Sequence, residues 1–466
     1  MPTTLQQLLQ NVPPAPKESL LPEIRQKLSS MQQTIVVLDD DPTGTQTVYD
    51  VPVLTEWSTE VIEAEFRQAT PLFFILTNSR SLPIRKANQL AATIGQNLNK
   101  AAQKAGRNFF VISRSDSTLR GHYPNEVNAL LVGMQQTEAI RILIPAFLEG
   151  GRYTINDTHY VQEGNDLIPV GKTPFAQDKS FGFSASNLKD WIEEKTEGGV
   201  KAKDVVSLSL SDLRQKGAGY ATETLNAAAS NATCIVNAVH RFDLEIFALG
   251  LLNADVPVIC RTAASIVPVL AGLAPKPLLT CDQLLPQGSA NGGLIVVGSY
   301  VPKSTAQLEH LLEHASVQPI KLDVNQILEH SDPEDFAQQA AQQIDQLLTD
   351  QQDTVVYTSR DLVSGQDKEE NLKIGQRVSS FLTNVIKQIS IKPRYILAKG
   401  GITSSDTATK GLGVKKANVL GQILPGVPVW KLGEESKFPE LTYIVFPGNV
   451  GEADSITKVI NQLKTN

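Results

Sequence analysis

Short runs of apolar residues, rich in Val, Ile, Leu and Phe, recur along the first half of the chain at 34–38, 72–76, 108–112, 140–144, 205–208, 234–236 and 256–259. Longer stretches with helical spacing of apolar positions separate them. A strand hydrophobic on both faces belongs inside a sheet covered on both sides, whereas a one-sided antiparallel sheet alternates apolar with polar. The pattern therefore predicts βαβ units around a mostly parallel sheet.

A break follows at 284–293, where Pro286, Gly288, Ser289, Asn291, Gly292 and Gly293 cluster with few apolar residues between them. The same alternation then restarts, with strands expected at 294–297, 320–322, 354–357, 395–397, 427–431 and 443–446. A chain of 466 residues exceeds what one core organises, since cores stop growing near roughly 250–300 residues. The reading is an α/β protein of two domains with mostly parallel sheets: 33–286 and 293–466. Two segments depart from the pattern. Residues 1–32 read as a helical arm suited to a homodimer contact, and 150–183, rich in Gly, Thr, Asn and Asp, reads as an inserted hairpin or lid.

Composition narrows the functional classes. A net charge of -7 without a Lys/Arg run interleaved with aromatics argues against nucleic acid as a partner. Cys234, Cys260 and Cys281 lack metal-ligand or disulfide spacing, and two lie in or beside apolar runs, as expected of free thiols in a reducing cytoplasm. Of the histidines, only His310 and His314 share a helical face, which predicts a solvated helix edge rather than zinc. No basic segment leads into an apolar stretch at the start, and no run of about 18 apolar residues occurs, so neither export nor a membrane span is expected. The expected location is cytoplasmic.

In parallel sheets ligands bind at the carboxyl ends of the strands. Three such ends in the first half are polar. They carry Asp39, Asp40, Asp41, Pro42, Thr43 and Gly44; then Ser79 and Arg80; then Arg114, Ser115, Asp116, Ser117, Thr118, Leu119, Arg120, Gly121 and His122. A helix cap with solvated arginines explains the third loop alone, but three polar ends of one sheet would form a single concave surface. Arginine forks match a carboxylate, so Arg80, Arg114 and Arg120 suit an acid-bearing substrate. Asp40, Asp41 or Asp116 would accept a hydroxyl proton, and spacing does not choose among them.

In the second half, Lys399-Gly400-Gly401-Ile402-Thr403 follows a strand into a helix start, where bare backbone N–H groups favour an anion. Gly298-Ser299 and Pro447-Gly448-Asn449-Val450-Gly451 follow two other strands, so the three loops could wrap one polyphosphate. Other nucleotide signatures fail: Gly171-Lys172-Thr173 has Asp166 where a Walker A loop needs its first glycine, and Gly217-Ala218-Gly219 and Gly411-Leu412-Gly413 lack the third dinucleotide glycine.

With Asp-Asp-Pro-Thr-Gly at 40–44, Ser-Arg at 79–80, Asp-Ser-Thr-Leu-Arg-Gly at 116–121, Gly-Gly-Ile-Thr at 400–403 and Gly-Asn-Val-Gly at 448–451, the chain resembles the four-carbon acid sugar kinase family. The resemblance implies an amino-terminal domain that binds a sugar acid such as threonate, erythronate or 3-oxo-tetronate. It further implies a carboxy-terminal domain that binds ATP with Mg2+, and a reaction in a central cleft that both sheets face. By similarity, Asp41 and Asp116 are catalytic, Asp40, Arg80, Arg114, Ser117 and Arg120 surround the substrate, and Ser299, Gly400, Gly401, Ile402, Thr403, Gly448 and Asn449 line the nucleotide. The chain departs from the family pattern at Asp39, Thr45, Ile402, where an acidic residue is common, and Val450, where Phe is expected.

Two rivals remain on the sequence. Asp39 and Asp41 after an apolar strand also fit the Asp-x-Asp nucleophile of haloacid-dehalogenase-type phosphatases, although the late acidic motif such enzymes use for magnesium is missing. A non-catalytic sugar-acid-binding protein is the other.

Overall fold

The structure, a computed structural model, describes residues 4–285, 291–298, 301–330, 332–359, 368–448 and 450–464, the side chains of 368–373 excepted. The chain forms two compact units, one of Met1–Val48 with Glu56–Pro275, the other of Tyr49–Thr55 with Lys276–Asn466.

Strands of the first half, in chain order, are β1 (Gln33–Asp39), β2 (Val51–Leu54), β3 (Leu72–Leu76), β4 (Asn108–Arg114), β5 (Ile140–Ile144), β6 (Arg152–Ile155), β7 (Thr158–Glu163), β8 (Asp166–Pro169), β9 (Val206–Leu208), β10 (Thr233–Val236) and β11 (Val258–Thr262). Within the first unit the order β3-β1-β4-β11-β5-β10-β9 is parallel at every described pairing. Every residue of β3 and β10 is buried, as are all but the first of β1, because both faces of this sheet are covered. The last of the expected strands, 256–259, instead spans Val258–Thr262. Pro257 cannot donate to the ladder, so pairing begins after it and continues through Arg261.

The insertion is a separate antiparallel sheet, β6-β7-β8, rather than a single hairpin. Ile155 and Leu167 on it join Leu210 and Val239 in a small core, against which Leu5, Leu8, Leu9 and Val12 of the opening arm pack. The arm is further tied down where Ser19 Oγ and the Leu20 N–H both donate to Glu245 Oε2, each at 2.9 Å, and where Arg25 Nε donates to the Gly272 carbonyl at 2.6 Å. It thus belongs to the first unit's own packing.

The second unit holds β12 (Leu294–Val297), β13 (Gln318–Leu322), β14 (Thr354–Thr358), β15 (Ile396–Lys399), β16 (Lys416–Leu424), β17 (Val427–Leu432) and β18 (Thr442–Phe446). Its order is β13-β14-β12-β15-β18 in parallel, then β17, β16 and finally β2, all antiparallel. Two of these strands were not expected. β16 alternates buried and partly exposed residues along its whole length, so it carries no continuous apolar run. β2, four residues long, reaches this sheet from the first half of the chain, with Val53 beside Ala417.

Within the expected break at 284–293, residues 286–290 lie outside the described residues. The units divide earlier, after Pro275. Leu279 and Leu284 are buried in the second unit's core with Ile295, Leu308, Ile423 and Ile444, and the Leu279 N–H donates to the Gln422 carbonyl at 2.7 Å, which draws 276–285 into that unit. Among the described residues no helix is long and apolar enough to cross a membrane.

Candidate functional site

In the first unit β3, β1, β4 and β11 are neighbours, so their carboxyl ends lie side by side. Asp39 and Arg114 stand opposite one another in register at the ends of β1 and β4 and form an ion pair at 3.1 Å, both almost fully buried. A Cβ on Gly44 would lie 1.8 Å from Asp39 Oδ2, so only glycine lets the turn after β1 close over this carboxylate. Asp39 Oδ2 has no hydrogen-bond partner. Burial pushes its carboxyl up to about 7, against the lowering effect of Arg114. An acid sealed in this way is poorly placed to attack a phosphoryl group, which counts against the phosphatase role considered for it.

Arg80 is the hub of the cluster. It sits in a short 3-10 turn directly after β3, and its guanidinium reaches Asp40 at 2.7 Å, Asp41 at 3.5 Å and Asp116 at 3.6 Å. Burial opposes its charge, but the three carboxylates outweigh that, and Arg80 titrates well above its usual range. Asp40 is buried and fully engaged, with Oδ1 taken by Arg80 and Oδ2 accepting from Ser115 Oγ. Asp41 is the most open of the three aspartates after β1, its side chain 26% exposed. Its Oδ1 accepts from the Thr43 N–H at 2.9 Å and from the Thr43 hydroxyl, capping the turn. Burial raises the Asp41 carboxyl, yet Arg80 and the Thr43 bonds prevail and hold it below the usual carboxylate range.

Asp116 accepts from Arg120 Nε at 2.8 Å and from the Thr118 hydroxyl, all through Oδ2, which leaves Oδ1 facing Arg80. Burial works against its ionised form, but Arg80, Arg120 and Thr118 hold the carboxyl well below its ordinary value. Ser117 contributes its carbonyl, which accepts from His159 Nε2 of β7 at 2.8 Å. That imidazole is buried, with Nδ1 on the Thr154 hydroxyl at 3.0 Å, and burial lowers it to about 4, so it is neutral. His122 Nε2 lies 3.2 Å from the Ser79 carbonyl and 3.0 Å from that of Leu82, fastening the third loop to the second.

The sequence reading did not include Arg261. It reaches the Ser113 hydroxyl at 2.9 Å, Glu126 at 3.3 Å and the Ser115 hydroxyl, so it holds Ser115 against Asp40. The signal existed: Ile-Cys-Arg-Thr at 259–262 repeats the apolar-to-arginine ending of Val-Ile-Ser-Arg at 111–114. Beneath the loop, Asp116, Arg120, Tyr123, Trp191 and Arg261 line a cavity of about 10 Å³, room for about one water.

In the second unit β12, β15 and β18 are adjacent, which gathers the glycine loops that follow them. The Gly400 N–H donates to the Phe446 carbonyl at 2.9 Å, and Gly400 adopts φ +110°, a conformation that side chains other than hydrogen rarely permit. A helix starts at Gly401 and its first helical bond runs from the Ser404 N–H to the Gly400 carbonyl, so the N–H groups of Gly401, Ile402 and Thr403 precede it and face outward unbonded by the helix. Gly298 backs onto the Thr403 hydroxyl, and Ile402 is 62% exposed. Ser299 and Asn449 lie outside the described residues.

Two side chains that the sequence reading did not single out fasten this region. Lys399, the buried last residue of β15, donates from Nζ to the carbonyls of Pro447 at 2.7 Å and Gly448 at 3.2 Å. Burial, with Lys303 nearby, lowers its ammonium to about 7. Gln307, in the helix Pro302–His314, donates to the Val450 and Glu452 carbonyls at 3.0 and 2.9 Å. Among the described residues no three His, Cys, Asp or Glu side chains are grouped to hold a metal ion.

Known proteins resemble the chain on both counts. A sugar-binding N-terminal domain model matches residues 35–270, and a nucleotide-binding C-terminal domain model matches 294–456. No protein with a curated description matches. Among solved structures, the Haemophilus influenzae protein HI1011 is 19% identical with a TM-score of 0.62, covering 92% of this chain and 100% of its own. A protein of Salmonella typhimurium LT2 is 16% identical with a TM-score of 0.66, covering 93% and 99%. At these identities the two structures speak for the fold alone. The domain models span most of the chain in the expected order, and the chain belongs to the family that joins a sugar-binding N-terminal domain to a nucleotide-binding C-terminal domain, the four-carbon acid sugar kinase architecture.

Proposed function

We propose that the chain is a kinase that transfers the γ-phosphate of ATP to a hydroxyl of a short, four-carbon sugar acid such as threonate, erythronate or 3-oxo-tetronate. The observation that carries this reading is Arg80 bridging Asp41 and Asp116, each of which keeps one oxygen free of strong bonds, in a domain of the sugar-binding type. Carboxylates in that setting accept hydrogen bonds from sugar hydroxyls and stay ionised at neutral pH. Phosphoryl transfer to an alcohol needs such an acceptor for the departing proton, and positioning counts for more than basicity.

Each residue then has a role. Asp116 or Asp41 takes the hydroxyl proton, while Arg80 holds both in place. Arg120, its side chain 22% exposed, is the arginine open to the substrate's carboxylate. Arg114, 5% exposed and bound to Asp39, supports the turn after β1 instead of contacting substrate. On the nucleotide side, the N–H groups of Gly401, Ile402 and Thr403 suit phosphate oxygens, and Lys399 keeps the Pro447–Gly448 loop beside them. Magnesium, when bound with ATP, supplies neutralisation of the phosphate charge.

The test is ADP release with magnesium ATP against erythronate, threonate, their 3-oxo forms and longer aldonates. Turnover is expected with a four-carbon acid, and Asp116→Asn should lower kcat by about 10²–10⁴-fold while ATP affinity stays unchanged. ATP binding without transfer to any acid would make the chain a binding protein. Release of phosphate from a simple phosphomonoester without ATP would favour the phosphatase.

A further inference from the structure

The inserted segment, residues 150–183, touches the loops after β3 and β4 at three points. His159 of β7 holds the Ser117 carbonyl, Phe181 presents itself edge-on to His122 with ring centroids 5.0 Å apart, and Phe175 lies against the Arg120 guanidinium at 5.0 Å from its centroid. A fourth contact is ionic: Asp178 Oδ2 stands 3.8 Å from Arg120 Nη1. Asp178 follows the 3-10 turn Pro174–Gln177, and its Oδ1 accepts from the N–H groups of Ser180 at 2.8 Å and Phe181 at 3.0 Å. One oxygen is thus committed to the backbone, and the other is aimed at the arginine.

Arg120 is thereby divided. Nε serves Asp116, Phe175 covers a face, Asp178 takes the Nη1 edge, and Nη2 has no partner among the described residues. Arg80 already faces three carboxylates and Arg114 faces Asp39. What remains for an incoming carboxylate is the outer edge of Arg120 and the guanidinium of Arg152, whose Nη1 donates to the Gly150 carbonyl and whose Nε has no partner among the described residues. The weakest link is the Asp178 pair, which is the longest of these contacts and is 28% exposed on the aspartate side.

We infer that Asp178 is a built-in stand-in for the substrate's carboxylate: it occupies the outer edge of Arg120 and is displaced when the sugar acid binds. Arg120 is then the anchor of the substrate's acid group, and the insertion sets how tightly that group is held. This rests on the sugar-acid reading of the site. Phe175 keeps the guanidinium in plane during the exchange, because an arginine stacked on an aromatic ring retains its orientation when one ion-pair partner leaves.

The charge alone can be removed with Asp178→Asn, since the amide oxygen still caps Ser180 and Phe181. The matched control is Asp166→Asn, the same charge change at the start of β8. Calorimetric titration of the full-length protein with erythronate and with threonate, without nucleotide, should show the Asp178→Asn variant binding the better acid roughly 2- to 5-fold more tightly than wild type, with Asp166→Asn unchanged. The gain should shrink at high salt, and in turnover it should appear as a lower KM for the acid with KM for ATP unaffected. An Asp178→Asn variant that binds no better than Asp166→Asn, with wild type binding normally, overturns the stand-in and leaves the kinase reading intact. Absence of binding and turnover for wild type with every acid overturns both.

Discussion

Individual side chains carry most of the site's electrostatics, and Asp39 shows how burial and pairing compete. Its carboxyl is raised to about 7 by burial, whereas the unfolded chain titrates near 4. Between those values the native state holds a proton that the unfolded state has released, so this group's contribution falls as pH rises from about 4 to 7 and is level above. The slope cannot exceed about 1.4 kcal/mol per pH unit for one proton. Asp41 and Asp116 are shifted the other way, and their contribution is lost only in acid below that window. Denaturant unfolding of wild type and Asp39→Asn at several pH values should therefore show the stability difference narrowing or widening steadily through pH 4–7, with wild type losing ground as pH rises. Parallel curves would mean that Asp39 does not titrate there. The motif letters announced the carboxylates and arginines, but which pairs with which follows from neighbouring strands that are 75 residues apart in the chain for Asp39 and Arg114.

Elements differ in how openly the sequence declares them. The buried parallel strands are legible because both faces need apolar residues, as in Leu-Phe-Phe-Ile-Leu of β3. β16 escapes that rule, since Lys416, Asn418 and Gln422 occupy its more open face, and β2 is too short to signal itself. Strand ends matter more than strand centres here: β15 runs to Lys399, two residues beyond the expected 397, and that extension turns a lysine of the loop into the strand's buried final residue. Its two bonds to the Pro447 and Gly448 carbonyls tie the end of β15 to the loop after β18. Lys399→Met should loosen that loop and weaken ATP binding by roughly 5- to 30-fold, the worth of one or two ordinary hydrogen bonds, with sugar-acid binding unchanged. Equal loss for both ligands, measured by titration of each alone, would point to general unfolding instead.

At the scale of the whole chain, the division into units does not follow the sequence in one cut. Residues 49–55 belong with 276–466, and β2 lies along β16 with Val51, Val53 and Leu54 buried. A fragment of residues 276–466 would therefore expose the backbone edge of β16 and the apolar surface that β2 covers. Expressed alone it should be aggregation-prone, and the same fragment carrying 49–55 as a tethered strand should be more soluble, as judged by size-exclusion chromatography. Equal behaviour of the two would show that β2 adds little to the second unit.

Local pattern was enough to announce the α/β class, two repeats of the same architecture and the polar strand ends, because each depends on residues close together in sequence. The sugar-binding and nucleotide-binding halves were legible for the same reason, through short contiguous motifs. Only the folded arrangement determined that Arg114 serves Asp39, that Arg80 joins Asp41 to Asp116, that Arg261 and His159 brace the loop between, and that the insertion lays Asp178 against Arg120. Those facts rest on pairings between distant segments, which the register of neighbouring strands creates and which no window of adjacent residues contains.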